Sequence, residues 1–260
     1  SPPHDRGATH GKTRLFRTFC LEHPALGEYA NLSRKLFAQL EALTGETLLT
    51  LTGGTIIGRP DSHAVSGTLA AAKHLGVALP VWDARELGER QPQHLGLEAQ
   101  DIAVWDPDAG VANPEGFIRA ALQRARALSA QVLPGVDVLS LNETPDGVRL
   151  STSAGEIHAA KVVVAHAAWL QRFAPDLPLD PIRTVMTWFD AAPGYSLAEF
   201  PVFVREISPQ LTLWGHGALA GGAVKLGLGD IGVSRMPLSL EHIERRIFPQ
   251  DTRDISEAVG

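Results

Sequence analysis

Near its start the chain sets a glycine-rich loop beside two arginines three residues apart, in Gly7-Ala8-Thr9-His10-Gly11-Lys12-Thr13-Arg14-Leu15-Phe16-Arg17. Guanidinium groups stay charged at any working pH and grip carboxylates through paired, planar hydrogen bonds. The stretch has two readings: an anion site, or a surface turn whose basic side chains stand in solvent, where most such residues lie. About two hundred positions later, Val224-Lys225-Leu226 embeds another cation in an apolar run. A lysine in a strand commonly faces water. Turned inward, it would lose hydration, its pKa would fall, and it would leave a positive charge beside whatever it faced. Among the histidines, His10 beside the arginines has the best claim to chemistry. His166 and His216 sit in apolar contexts and read as satisfied core residues.

Several other chemistries are excluded by spacing. Gly11-Lys12-Thr13 looks like the end of a phosphate-binding loop, but G-x-x-x-x-G-K-[ST] needs a glycine where Arg6 stands, and Gly7 is one place late. The upstream Ser1-Pro2-Pro3-His4-Asp5-Arg6 is also no strand. Gly227-Leu228-Gly229-Asp230-Ile231-Gly232 matches G-x-G-x-x-G, yet Pro237 arrives before the helix that a dinucleotide site requires. That stretch reads as a glycine-rich strand end. The histidines show no metal-binding spacing and there is no cysteine pair, so no metal is expected. No G-x-S-x-G elbow is present for acyl chemistry.

The elements that must hold these residues alternate in kind. A 44% apolar, 20% charged chain of 260 residues has ample core for one large domain or two small ones. Its net charge of -6 argues against a nucleic-acid partner. The single Cys20 excludes an internal disulfide and fits a reducing, cytoplasmic setting. No apolar run is long enough for a membrane helix, so no membrane partner is expected.

Leu26, Tyr29, Leu32, Leu36, Leu40 and Leu43, closed by Gly45, predict a helix laid on a core. Short β runs follow at Leu48–Leu51 and Thr55–Ile57, then an Ala-rich helix near Ser66–His74, a capped helix at Asp83-Ala84-Arg85-Glu86, and a strand over Ile102–Trp105. Asn113-Pro114-Glu115 starts a helix with Phe117, Ala121, Ala125 and Leu128 inward. Val136–Leu141, Val148–Ser151 and Glu156–Ala159 predict an antiparallel meander. Lys161-Val162-Val163-Val164-Ala165 predicts a parallel strand covered on both faces. Ile182–Phe189, Val202–Arg205, Leu211–Trp214 and Ala223–Leu228 lack intervening helices and predict antiparallel pairing. One further helix is expected to begin within Leu238–Ile247. The fold class is α/β, with part of a dinucleotide-binding fold and a mixed or antiparallel sheet. Expected domains are 1–47 with 112–178, and 48–111 with 179–236, with 237–260 starting a further helical segment.

Five segments, in order, resemble the monomeric sarcosine oxidase and N-methyltryptophan oxidase group of FAD-dependent amine oxidases. They are His10–Arg17; Asp106-Pro107-Asp108-Ala109-Gly110-Val111 with Ile118-Arg119-Ala120; Val162-Val163-Val164-Ala165 with Ala168-Trp169; Pro181-Ile182-Arg183-Thr184-Val185; and Val224-Lys225-Leu226-Gly227. The resemblance implies an FAD cofactor, with His10 and Arg14 against the flavin ring and Gly11 and Thr13 in the same flavin loop. It implies Val138 at the adenosine part, and Ala167 and Trp169 by the later flavin strand. Arg17 would hold a substrate carboxylate, and Lys225 would be the cation that speeds reduction of oxygen. The implied reaction is oxidation of a small secondary amine or N-methyl amino acid to an imine, with oxygen converted to hydrogen peroxide. An FAD-dependent amino acid dehydrogenase using another acceptor, and a non-catalytic carboxylate-binding remnant, are the alternatives.

The sequence departs from the group's pattern in several places. Ala167 replaces a glycine, Trp214-Gly215-His216-Gly217 replaces a Tyr-Gly-Phe-Pro-like strand end, and Gly229 stands where a histidine is usual. The group's opening strand–G-x-G-x-x-G–helix lies upstream of this sequence. These 260 residues alone are therefore expected to bind FAD poorly and to be inactive.

Overall fold

The computed structural model describes residues 2–5, 7–182, 184–219, 222–229, 240 and 243–259. In chain order, Arg14–Phe16 (β1) is followed by Leu26–Thr44 (α1), Leu49–Leu51 (β2), Gly54–Gly58 (β3), His63–His74 (α2), Val81–Asp83 (β4), Ala84–Arg90 (α3) and Ile102–Asp106 (β5). Gly110–Ala112 (β6), Pro114–Ala127 (α4), Val138–Thr144 (β7), Gly147–Thr152 (β8) and Gly155–Ala159 (β9) come next, then a 3-10 turn at Ala167–Arg172. Thr187–Asp190 (β10), Val202–Ser208 (β11), Leu211–His216 (β12), Ala223–Gly229 (β13) and Pro249–Val259 (α5) complete the set.

A seven-stranded sheet in the order β10-β13-β12-β11-β3-β5-β4 forms the main body. Residues 54–106 and 187–229 thus share one sheet, joined where β11 runs parallel to β3. The last four strands pair antiparallel with one another, as the lack of intervening helices predicts. Ile56, Val65, Val104 and Val204 form one core between this sheet and α2. Phe200, Phe203, Val224, Leu226 and Ile255 form a second, under α5. A small sheet, β1-β6-β2, carries the opening loop, and β7-β8-β9 form the expected meander.

Local chemistry accounts for the element ends. Asp83 caps α3 by accepting the Glu86 amide at 2.7 Å, and Asn113 caps α4 through the Gly116 amide at 2.9 Å. Gly45 ends α1 in the left-handed conformation that the following turn requires, at φ 75°.

The structure corrects four expectations. Residues 161–165 form no strand, and Val163 is 91% exposed, because no neighbouring strand among the described residues accepts their backbone groups. The leucine stripe of α1 is not buried: Tyr29, Leu32, Leu36 and Leu43 are exposed, since among the described residues α1 packs along another side, against α4, α2, β2 and Phe16 of β1. Leu128 of α4 is likewise exposed rather than inward, whereas Phe117, though partly open to solvent, meets Phe37 of α1 edge-on at 5.4 Å beside the buried Pro114, Gly116 and Ala120. The last helix starts at Pro249, not within Leu238–Ile247; residues 243–248 are irregular, and Leu238, Ser239, Glu241 and His242 lie outside the described residues. Arg183, Asp230, Ile231, Gly232 and Pro237 also lie outside them.

Candidate functional site

Strand alternation decides where Lys225 points. Val224 and Leu226 face the Phe200–Phe203 core, so the residue between them faces the opposite side of the sheet. Register then places Trp188 of β10 and His216 of β12 directly beside Lys225 on either flank. The side chain is 2% exposed. Its Nζ donates to the Thr13 carbonyl at 3.0 Å and lies 3.4 Å from Thr13 Oγ1. The Trp188 and Trp214 rings stand 5.5 and 5.8 Å from the same nitrogen, so their electron-rich faces supply part of the lost hydration. Burial and, after it, the positive Arg14 pull the ammonium pKa down from 10.5 to about 8. At neutral pH it still carries its charge, and no carboxylate among the described residues pairs with it.

Two glycines make this geometry possible. A Cβ on Gly227 would sit 2.3 Å from the Trp214 ring, and one on Gly215 would sit 2.0 Å from the Lys225 carbonyl oxygen. Gly227, the first glycine of the late G-x-G-x-x-G match, thus makes room for the Trp214 indole on the neighbouring strand.

The opening loop meets Lys225 in a fixed shape. Arg14 donates to the carbonyls of Thr13 at 2.8 Å, His10 at 2.7 Å, and Ala8. The guanidinium therefore staples the loop that precedes β1. His10 Nδ1 lies 2.6 Å from the Gly7 carbonyl, and the Gly11 amide donates to Glu115 of α4 at 2.9 Å. Gly11 itself adopts φ 96°, a backbone state that favours glycine.

At the far end of β1, Arg17 Nη2 is 2.6 Å from Glu22, while its Nη1 is buried and has no partner. The turn behind it is clamped by Asp106, which accepts the amides of Thr18 at 2.8 Å and Phe19 at 3.4 Å. Burial raises the Asp106 pKa first of all, and these amides act against it. Burial also raises the Cys20 thiol, partly offset by Arg17.

His10, Gly11, Thr13 and Arg14 are thus brought together in one loop, with Lys225 bonded to it at Thr13. Arg17 stands on the same segment, four residues beyond Thr13. Val138 lies in β7, Ala167 and Trp169 in the 3-10 turn, and among the described residues no hydrogen bond or ring contact ties them to the loop. Ala167 holds φ 46°, a conformation that explains a glycine preference at this position.

Sequence reading missed the parts played by Glu115, Asp106 and Trp188, and it placed His216 in the core, where it lies with both nitrogens engaged, without its bond to Thr13. Each acts on a partner far away in the chain, and no local pattern reports that.

A family profile described as FAD dependent oxidoreductase matches residues 2–259. The chain belongs to that family. Monomeric sarcosine oxidase of Streptomyces avermitilis is 30% identical over 263 residues, which cover 98% of this chain and 67% of the relative. N-methyl-L-tryptophan oxidase of Salmonella arizonae is 28% identical over 258 residues, 99% of this chain and 68% of the relative. Among solved structures, NikD, an unusual amino acid oxidase essential for nikkomycin biosynthesis, superposes with a TM-score of 0.72 at 22% identity over 98% of this chain and 66% of its own. Glycine oxidase from Geobacillus kaustophilus gives 0.67 at 17% identity, over 94% of this chain and 65% of its own. These likenesses establish the FAD-dependent oxidoreductase fold. The chain spans about two thirds of the length of such relatives. Among its described residues, no helix is long and apolar enough to cross a membrane.

Proposed function

We propose that the protein containing this chain oxidises the C–N bond of a small secondary amine or N-methyl amino acid, giving an imine that water hydrolyses, with oxygen as acceptor and hydrogen peroxide as product. The observation that carries the proposal is a buried, charged Lys225 held against the Thr13 end of the loop, without a carboxylate partner among the described residues.

The residues present fit FAD and a carboxylate ligand on two counts. A buried ammonium suits a neighbour that gains negative charge, and the unpaired, buried Arg17 Nη1 is a donor awaiting an acceptor. When bound, FAD supplies the two-electron acceptor that side chains lack. His10, Gly11, Thr13 and Arg14 would border its ring, Val138 its adenosine part, and Ala167 and Trp169 the later flavin segment. Arg17 orients the substrate by its carboxylate, for which the Glu22 ion pair must yield or be shared. Lys225 sets a fixed positive charge where oxygen takes up electrons, an effect that grows as water is excluded. Stretches 1–47 with 112–178 form the flavin side in this reading, and 48–111 with 179–236 the substrate side.

The test is peroxide release by the flavin-loaded, full-length protein with sarcosine and other N-methyl amino acids. Oxidation that needs a dye acceptor and yields no peroxide would point to a dehydrogenase. A protein that never turns yellow, yet loses carboxylate binding on Arg17→Ala, would be a binding remnant. Peroxide formation that survives Lys225→Met unchanged would overturn the role given to the lysine.

A further inference from the structure

His216 is wholly buried, and its two nitrogens are both engaged. Nδ1 lies 2.7 Å from the Gly217 carbonyl, which can only accept, so Nδ1 carries the proton. Burial, reinforced by the charge on Lys225, holds the ring's pKa below its ordinary value against the opposing Gly217 bond, so the ring is neutral at pH 7. A neutral imidazole protonated on Nδ1 has a bare Nε2. The Thr13 hydroxyl, 2.9 Å from it, must therefore donate. Having given its one proton to His216, that hydroxyl offers lone pairs alone to Lys225 at 3.4 Å.

We propose that His216 is a positioning residue for Lys225: by taking the Thr13 hydroxyl proton, it makes that oxygen a fixed acceptor and aims the ammonium at the edge of the opening loop. The chain of donors runs from Lys225 to Thr13 to His216 to the Gly217 carbonyl, each link pointing the same way. This deepens the oxygen-side role proposed for Lys225 and rests on it. A phenylalanine would also fill the place beside Trp188, whose ring is 6.0 Å away, and would bury no polar atoms. What the imidazole adds is an acceptor.

Among the described residues, the groups that face Lys225 are Arg14 on the loop, the Trp188 ring from β10, and the Trp214 ring and His216 from β12. Of these Arg14 alone is charged, and it is left untouched by the substitutions below.

The experiment follows the Lys225 side-chain resonance by NMR in lysine-labelled protein across pH, assigned with Lys225→Met. His216→Phe should lower the Lys225 pKa by about 0.5 or more, because the ammonium loses an oriented acceptor. The same exchange in a Thr13→Val background should shift it by less than about 0.2, since His216 acts only through the hydroxyl. His216→Gln, which keeps an acceptor near the Nε2 position, should restore the original value. Equal shifts with and without the Thr13 hydroxyl, or no shift at all, would overturn the proposal. Histidine nitrogen shifts give an independent readout that needs no variant to fold: a proton found on Nε2 overturns it, and one on Nδ1 supports it. These measurements do not depend on turnover. A coupled Thr13–His216 pair in a protein that makes no peroxide would sink the proposed function and leave the coupling standing; peroxide formation without coupling would do the reverse.

Discussion

The burial of Lys225 has a cost that can be measured. Its pKa falls from 10.5 to about 8, and each unit corresponds to about 1.36 kcal/mol, so the charged form weighs on the native state by about 3 kcal/mol. In Lys225→Met a chain of similar length and volume replaces the ammonium. The Thr13 carbonyl keeps a donor, because Arg14 Nη1 also reaches it at 2.8 Å. Losing the lysine bond returns about 1 kcal/mol, leaving the variant more stable at pH 7 by about 2 kcal/mol. The sign of the pH dependence follows from the depressed pKa. Below about 8 both native and unfolded chains hold the proton and the full penalty applies; between about 8 and 10.5 the native chain has released it, so stability rises with pH by about 1.36 kcal/mol per unit. That rise should vanish in the variant. Denaturant unfolding followed by tryptophan fluorescence at several pH values from 7 to 10 reads both effects. A variant less stable than the parent at pH 7, or a difference between the two that does not change across this range, would refute the reasoning. The same substitution should abolish rapid peroxide formation, so function and stability would move in opposite directions at one residue.

Burial and, secondarily, Arg205 hold His94 neutral down to about pH 3, so the unfolded chain takes up a proton that the native one refuses below 6.5, and stability drops by about 5 kcal/mol by pH 3. His94→Phe, which suits the slot between Phe200 and Phe203, should flatten acid unfolding by about one proton over that range, read from melts at successive pH values. Ala167→Gly should raise stability by about 0.5–1 kcal/mol by relieving the left-handed alanine, as a higher denaturation midpoint. Asp106→Ala strips the Thr18 and Phe19 amides of their acceptor and should cost about 3 kcal/mol; in the full-length enzyme it should raise KM for the carboxylate substrate more than it lowers kcat, because the turn that carries Arg17 is loosened.

Much of the molecule follows from the order of its residues. The caps at Asp83 and Asn113, the glycine end of α1, the meander and the helix-free run of late strands are local events, set by hydrogen-bonding side chains and by two-residue alternation, and they form where the sequence places them. The pair of arginines beside a glycine loop is equally visible as a cationic feature. Their division of labour is not: Arg14 spends its donors on its own loop, whereas Arg17 keeps one nitrogen unpaired, and only folded distances distinguish the two. The strand expected at 161–165 shows the converse failure, since an apolar run becomes a strand only when another strand accepts its backbone. Lys225 lies between these cases. Its neighbours in sequence allow either face, and the register of β10, β13 and β12 selects the one that brings Trp188, His216 and Thr13 around it. The hydrogen bonds that then tie Lys225 and His216 to Thr13 join residues some two hundred positions apart, so the field felt by that ammonium is a property of the fold alone.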